Sequence, residues 1–146
     1  MAEWTQRLPV DLRVLVVDDD AQVLELVKGI MKSMNLTRIT ALNDSKLIQT
    51  KFGPGIVPEF DLVVCDWKMP GLSGLEVLKL VRSVDRDLPF IMLTGNSDLG
   101  SVQEAKENGV TDYIAKPFNP DTLRRKVSII AKLIANRRVA NQRPLV

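Results

Sequence analysis

The chain contains no histidine, one cysteine and one tyrosine. Without histidine it has no Ser-His-Asp or Cys-His catalysis and no zinc site built on imidazole. A lone Cys65 closes no internal disulfide, and its place at the end of an apolar run predicts a buried thiol. No apolar run approaches the roughly 18 residues of a membrane span, and residues 1–7 carry no signal-peptide core. No membrane insertion and a cytoplasmic address are therefore the expectations. Internal repeats and low-complexity segments are also missing.

What is present is the balance of an ordinary globular domain. In 146 residues, 45% are hydrophobic and 26% charged, enough for one domain with a proper core. The net charge of +2 conceals an asymmetry. After Pro120 come Arg124, Arg125, Lys126, Lys132, Arg137, Arg138 and Arg143 against Asp121 alone, so the preceding body is net acidic. Basic helices can bind nucleic acid or acidic partners, but no nucleic-acid motif accompanies the charge, and no direct nucleic-acid contact is expected.

Hydrophobic periodicity alternates along the chain. Residues 12–17 read as a strand running into Asp18-Asp19-Asp20. Helical spacing follows at Val23, Leu24, Val27, Ile30, Met31 and Met34. Residues 38–42 read as a second strand, and Asn43-Asp44-Ser45 offers a cap for a second helix carrying Leu47, Ile48 and Phe52. The breaker-rich 53–58 is a loop. Residues 62–65 form a third strand that drives to Asp66, and after Gly74 a third helix carries Leu75, Leu78 and Val81. A fourth strand over 89–93 ends at Thr94-Gly95-Asn96. The fourth helix, about 98–108, offers only Leu99, Val102 and Ala105 to a core, so it is expected to shift at small cost. Residues 111–115 form the fifth strand, and Asn119-Pro120 opens a last helix with Leu123, Val127, Ile130 and Ile134 inward. Five strands alternating with five helices imply right-handed crossovers and a parallel sheet covered on both faces, an α/β fold. The expected division is an N-terminal arm over 1–11, one domain over 12–138 and a tail over 139–146.

In such a fold the strand ends open on one edge, where ligands collect. The first strand delivers Asp18 and Asp19 there, the third Asp66, the fourth Thr94 and the fifth Lys116. Taken singly, each has an ordinary reading: helix caps, a strand-end hydroxyl, a surface lysine. Together, crowded carboxylates call for a cation among them. Oxygen-only ligands select a hard ion such as Mg²⁺, with Mn²⁺ as a substitute. A lysine and a hydroxyl on the same rim suit a phosphoryl group. Asp66 is then a candidate nucleophile for an aspartyl phosphate.

With those residues in place, the chain resembles the response-regulator receiver domains of two-component signalling, closest in build to single-domain chemotaxis regulators. The similarity spans roughly 12–138. It rests on Val17-Asp18-Asp19, on Asp66-Trp67-Lys68-Met69-Pro70 with Gly74, on Thr94-Gly95, on Lys116-Pro117-Phe118, and on Tyr113 three residues before the lysine. The resemblance implies a flavodoxin-like sheet of order 2-1-3-4-5 and a cis Lys116-Pro117 peptide. It implies that Asp66 accepts a phosphoryl group from a histidine kinase or a histidine phosphotransfer protein. Asp19, Asp66 and the Lys68 backbone carbonyl would bind Mg²⁺ directly, with Asp18 acting mainly through water. Thr94 would bond the phosphoryl group and Lys116 pair with it. Tyr113 would turn inward, reshaping the face of helix four, strand five and helix five for a downstream protein target. Lys68, Gly95 and Asn96 form its rim, of which Lys68 and Asn96 vary within the family.

The implied activity is that of a phosphoacceptor in a phosphorelay, not of an enzyme; the domain assists only its own phosphorylation and autodephosphorylation. Three other readings stay open. A phosphatase of the haloacid-dehalogenase type would place an acid two residues after the nucleophile, where this chain has Lys68. A receiver fold that no longer takes phosphate would normally lack one of the acids, the threonine or the lysine. The chain could also be the receiver fragment of a larger regulator or hybrid kinase, the basic tail starting a linker.

Overall fold

Every residue of the strands that become β1, β3 and β4 except Arg13 is buried, which is why these segments read as unbroken apolar runs rather than alternating ones. The computed structural model describes residues 8–53, 59–95 and 99–142. Residues 54–58 of the expected loop, Asn96 and Arg143 lie outside the described residues. The strands are β1 (Arg13–Val17), β2 (Arg38–Leu42), β3 (Leu62–Asp66), β4 (Phe90–Thr94) and β5 (Asp112–Ala115). Between them run α1 (Ala21–Ser33), a 3₁₀ helix (Ser45–Thr50), α2 (Gly74–Val84) and α3 (Leu99–Glu107), and α4 (Pro120–Gln142) ends the series. All pairings are parallel, in the order β2-β1-β3-β4-β5.

Strand residues alternate between two apolar layers. Val14, Val16, Leu62, Val64, Ile91 and Leu93 pack with the inward residues of α1 and α4. Leu15, Val17, Val63, Cys65, Phe90 and Met92 pack on the other face with Ile48, Phe52 and α2. Burying each side chain of this size is worth roughly 1.5–3 kcal/mol, so the two layers hold the sheet from both sides. Helix ends follow local chemistry. Of the three consecutive acids, Asp20 caps α1, accepting from the Gln22 N–H at 2.9 Å. Ser73 caps α2 through the Glu76 N–H.

The expected second helix requires correction. Six residues form a 3₁₀ helix instead, with Ile48 buried, Leu47 exposed, and Phe52 buried beyond its end. One inward apolar side chain and a polar Gln49-Thr50-Lys51 stretch give an α-helix too little to bury, and short 3₁₀ turns suit such connectors. On α2 the buried set is Val77, Leu78 and Val81, with Leu75 only half-buried. On α3, Ala105 is buried and Val102 half-buried; the side chain of Leu99 lies outside the described residues. Among the described residues the 3₁₀ helix is the second of five helical segments, so helices four and five in that order are α3 and α4.

At the edge opposite the strand ends, Asp61 fastens β3, β1 and α4 together. Its carboxylate accepts from the Arg13 backbone N–H at 2.9 Å and from the Arg13 guanidinium at 3.1 and 3.2 Å. Arg138, on α4, reaches the same carboxylate at 3.1 Å, and Arg137 donates to the Asp87 carbonyl. Part of the basic C-terminal charge is thus spent on the domain itself, and α4 continues without a break through 138 to Gln142.

Burial pushes the Asp61 carboxyl up, but the Arg13 side-chain and backbone bonds, with the charges of Arg13 and Arg138, outweigh it and hold the group below the ordinary range. A carboxyl that titrates lower in the folded state stabilises fully above the unfolded value of about 3.9 and loses that effect as pH falls through its folded value. Asp61→Asn is therefore expected to be less stable than wild type above about pH 4, with the gap closing below it. Urea unfolding as a function of pH checks this; a gap constant with pH contradicts it.

Candidate functional site

Backbone hydrogen bonds carry the sheet one residue past its strand ends and so place the site. The Asp18 N–H donates to the Leu42 carbonyl at 3.1 Å, the Trp67 N–H to Leu93 at 2.8 Å and the Lys116 N–H to Thr94 at 2.7 Å. These bonds hold Asp18, Asp66, Thr94 and Lys116 at neighbouring points of one edge. The Lys116–Pro117 peptide is cis. Gly74 lets α2 begin tightly against β3. A Cβ there would collide with the Asp66 carbonyl oxygen and lie 2.8 Å from Met92 Sδ, and the Gly74 N–H instead reaches the Trp67 carbonyl at 2.8 Å.

Lys116 Nζ stands 3.0 Å from Asp18 Oδ2 and 3.0 Å from Asp66 Oδ1. Asp18 is fully buried and Asp66 is 7% exposed. The other Asp18 oxygen accepts from the Asp20 N–H at 2.9 Å, so both of its oxygens are engaged. Burial pushes the Asp66 carboxyl up; the Lys116 hydrogen bond pulls it down and the Asp18 charge lifts it again, leaving it above the ordinary range. Burial works against the Lys116 ammonium, but its bonds to Asp18 and Asp66 prevail and raise it. Cys65 is buried as its sequence position implies, and burial, with the nearby carboxylates, pushes its thiol well up. It stays protonated and takes no part as a nucleophile.

Carboxylate oxygens of Asp18, Asp19 and Asp66 lie within 4.8 Å of one another, with Asp19 exposed. One lysine among three acids leaves the cluster negative, and the donor set is all oxygen; both features fit a hard divalent cation such as Mg²⁺. Asp66, Trp67, Lys68, Thr94, Gly95 and Lys116 line a cleft of about 420 Å³. Lys68 is exposed at its rim, Gly95 is exposed with open space around its Cα, and Asn96 is outside the described residues. Thr94 is 4% exposed. Tyr113 is 36% exposed, with Lys106 Nζ 5.9 Å from its ring centroid. A narrow space lined by Trp67, Met92, Thr94, Val102, Ala105 and Tyr113 joins the cleft residues to α3 and β5.

One contributor escaped the sequence reading. Ser45, taken there as part of a helix cap, is 1% exposed and hydrogen-bonds the loop between β3 and α2. Its burial has no local sequence signal, because the partner lies 25 residues away. A buried pair that loses one partner typically costs roughly 3–5 kcal/mol. Lys116→Met is therefore expected to lose about 3 kcal/mol of unfolding free energy in chelator, with much of it recovered in Lys116→Met/Asp18→Asn. Urea denaturation of both variants measures this, and an unchanged midpoint for the single variant contradicts the coupling.

Comparison with known proteins adds an independent line. The response regulator receiver domain family matches residues 14–128. The chemotaxis protein CheY of Pseudomonas aeruginosa is 30% identical over 121 residues, covering 82% of this chain and 95% of its own. CheY-3 of Vibrio cholerae is 31% identical over 122 residues, covering 82% and 92%. The BeF₃-activated receiver domain of DrrB, from Thermotoga maritima, shares the fold at a TM-score of 0.75 and 28% identity, covering 84% of this chain and 99% of that domain. Among the described residues, no helix is long and apolar enough to cross a membrane. A buried acid–lysine edge on a 2-1-3-4-5 sheet, matched along most of the chain, places this protein among the response-regulator receiver domains of two-component signalling, whose general function is a phosphorylation-dependent switch.

Proposed function

We propose that Asp66 is the phosphoacceptor of this switch, taking its phosphoryl group from a histidine kinase or a histidine phosphotransfer protein. The observation that carries the reading is the position of the Asp66 carboxylate, 3.0 Å from Lys116 Nζ on a cleft shared with Thr94. As an Asp66 oxygen bonds to phosphorus, the donor's N–P bond breaks and its electron pair leaves with the imidazole. Asp19, Asp66 and the Lys68 carbonyl, with Asp18 through water, would hold Mg²⁺ or Mn²⁺, which neutralises charge on the transferring oxygens. That Asp18 already spends both oxygens on Lys116 and the Asp20 N–H favours its indirect part. Lys116 offsets part of the burial cost of an ionised Asp66 and then pairs with the phosphoryl oxygens. Lys68 leaves the site without the second acid of a phosphatase, so its own phosphorylation and dephosphorylation are its whole chemistry.

Phosphorylation adds close to two negative charges and three acceptor oxygens. The Thr94 hydroxyl is drawn towards them, and the space it shares with Trp67, Met92, Val102 and Ala105 receives the Tyr113 ring. The face of α3, β5 and α4 changes shape for a downstream protein. Among the described side chains of α3 only Ala105 is buried, and so little anchorage favours an inexpensive displacement. Its C-terminal end is tied down by Arg82, whose Nε and Nη2 donate to the Gly109 carbonyl at 3.0 and 2.9 Å.

Incubation with acetyl phosphate and Mg²⁺, followed by intact mass, tests the assignment. Wild type is expected to gain one phosphoryl group, and Asp66→Asn or chelator to abolish the gain. Equal labelling of Asp66→Asn, or none of wild type, contradicts it. Tyr113 is expected to lose solvent accessibility in beryllofluoride; an unchanged ring removes the switch from the proposal.

A further inference from the structure

The loop from Trp67 to Gly74 carries the Lys68 carbonyl, and a hydroxyl from elsewhere in the chain fastens it. Ser45 Oγ donates to the Pro70 carbonyl at 3.1 Å and accepts from the Leu72 N–H at 2.8 Å. Between those two residues Gly71 takes a left-handed conformation, φ +84°, which favours glycine. The Lys46 stem covers it so closely that a Cβ there would lie 3.1 Å from Lys46 Cγ. One hydroxyl thus closes the turn from both sides, and the neighbouring residue roofs it.

The anchor itself is firm. Ser45 opens the 3₁₀ helix, whose Ile48 is fully buried, and Asp44 caps that helix through the Lys46 N–H at 2.9 Å. Upstream, Leu42 at the end of β2 accepts from the Asp18 N–H. A single stretch of chain therefore braces the acid on one side of the cleft and the loop on the other. Trp67 is fixed by its bonds to Leu93 and Gly74, and Pro70 by Ser45, so the Lys68 carbonyl sits on a three-peptide bridge between two pinned points.

We infer that Ser45 is a positioning residue for the metal and phosphoryl site, holding the Lys68 carbonyl in place relative to Asp66. The inference rests on the reading of Asp66 as phosphoacceptor with Mg²⁺. Without the hydroxyl, two backbone groups lose their partner and the bridge gains conformations that cation binding must then remove.

The test uses the full chain as wild type, Ser45→Ala and Thr50→Ala. Thr50 bonds the Leu47 carbonyl within the same 3₁₀ helix and does not touch the loop, so it controls for general loosening. In metal-free Ser45→Ala, the Leu72 amide is expected to exchange about tenfold faster or more, while core amides of β3 keep their protection. Calorimetric titration is expected to give a Mg²⁺ Kd about five- to tenfold weaker than wild type, a loss of the size one hydrogen bond supplies. Thr50→Ala is expected to bind Mg²⁺ as wild type does. Ser45→Ala binding as tightly as wild type, or Thr50→Ala weakened equally, overturns this inference alone. A wild-type protein that binds no Mg²⁺ overturns it together with the reading on which it rests.

Discussion

The structure turns on one ammonium group shared by two buried carboxylates. Asp18 and Asp66 lie at the ends of adjacent strands with almost no exposure, and Lys116 Nζ reaches both at 3.0 Å. Ionised acids at that spacing repel strongly where water is scarce, and removing either from water costs several kcal/mol. A lysine offsets part of that cost. Asp19 adds a third negative group at the mouth, so the assembly remains a charge deficit. A divalent cation and a phosphoryl group are the species that such a deficit, a lysine and a nearby threonine accommodate together.

Everything else in the fold serves to keep those groups from relaxing apart. Parallel pairing carries the hydrogen bonding of β1, β3 and β5 one residue beyond their ends, so Asp18, Asp66 and Lys116 inherit the register of the sheet. Two apolar layers fix the sheet, and the Asp61–Arg13–Arg138 cluster closes its far edge. The fully buried strands β1 and β3 contrast with α3, which buries only Ala105 among its described side chains and borders the space beside Thr94. On the proposed reading, a charge change at Asp66 acts through α3 rather than through the buried strands.

Much of this was legible in the sequence because of burial on both faces. A strand hidden from water on two sides needs apolar residues throughout, so 62–65 and 89–93 stood out, and the first polar residue after each run marked the edge. The cis peptide and strand order followed from the family resemblance, and both are present. What stayed hidden depended on pairings distant in sequence. Nothing local distinguishes Ser45 as a loop fastener rather than a cap, and Arg138 looks like any surface cation until Asp61 lies beside it. The 3₁₀ helix is not legible because a six-residue element with one inward apolar side chain leaves no period to detect. Leu75 and Val77 are both apolar, and only packing decides which of them α2 buries.

Trp67 sits on the wall of the cleft and reports on its occupancy. With Trp4→Phe, so that the emission comes from Trp67 alone, titration with Mg²⁺ tests the account most directly. A saturable change in emission is predicted, followed by a further change on adding beryllofluoride that requires the metal. A titration flat in both arms, on protein that remains folded, would contradict the claim that these carboxylates are held together to receive a cation and a phosphoryl group.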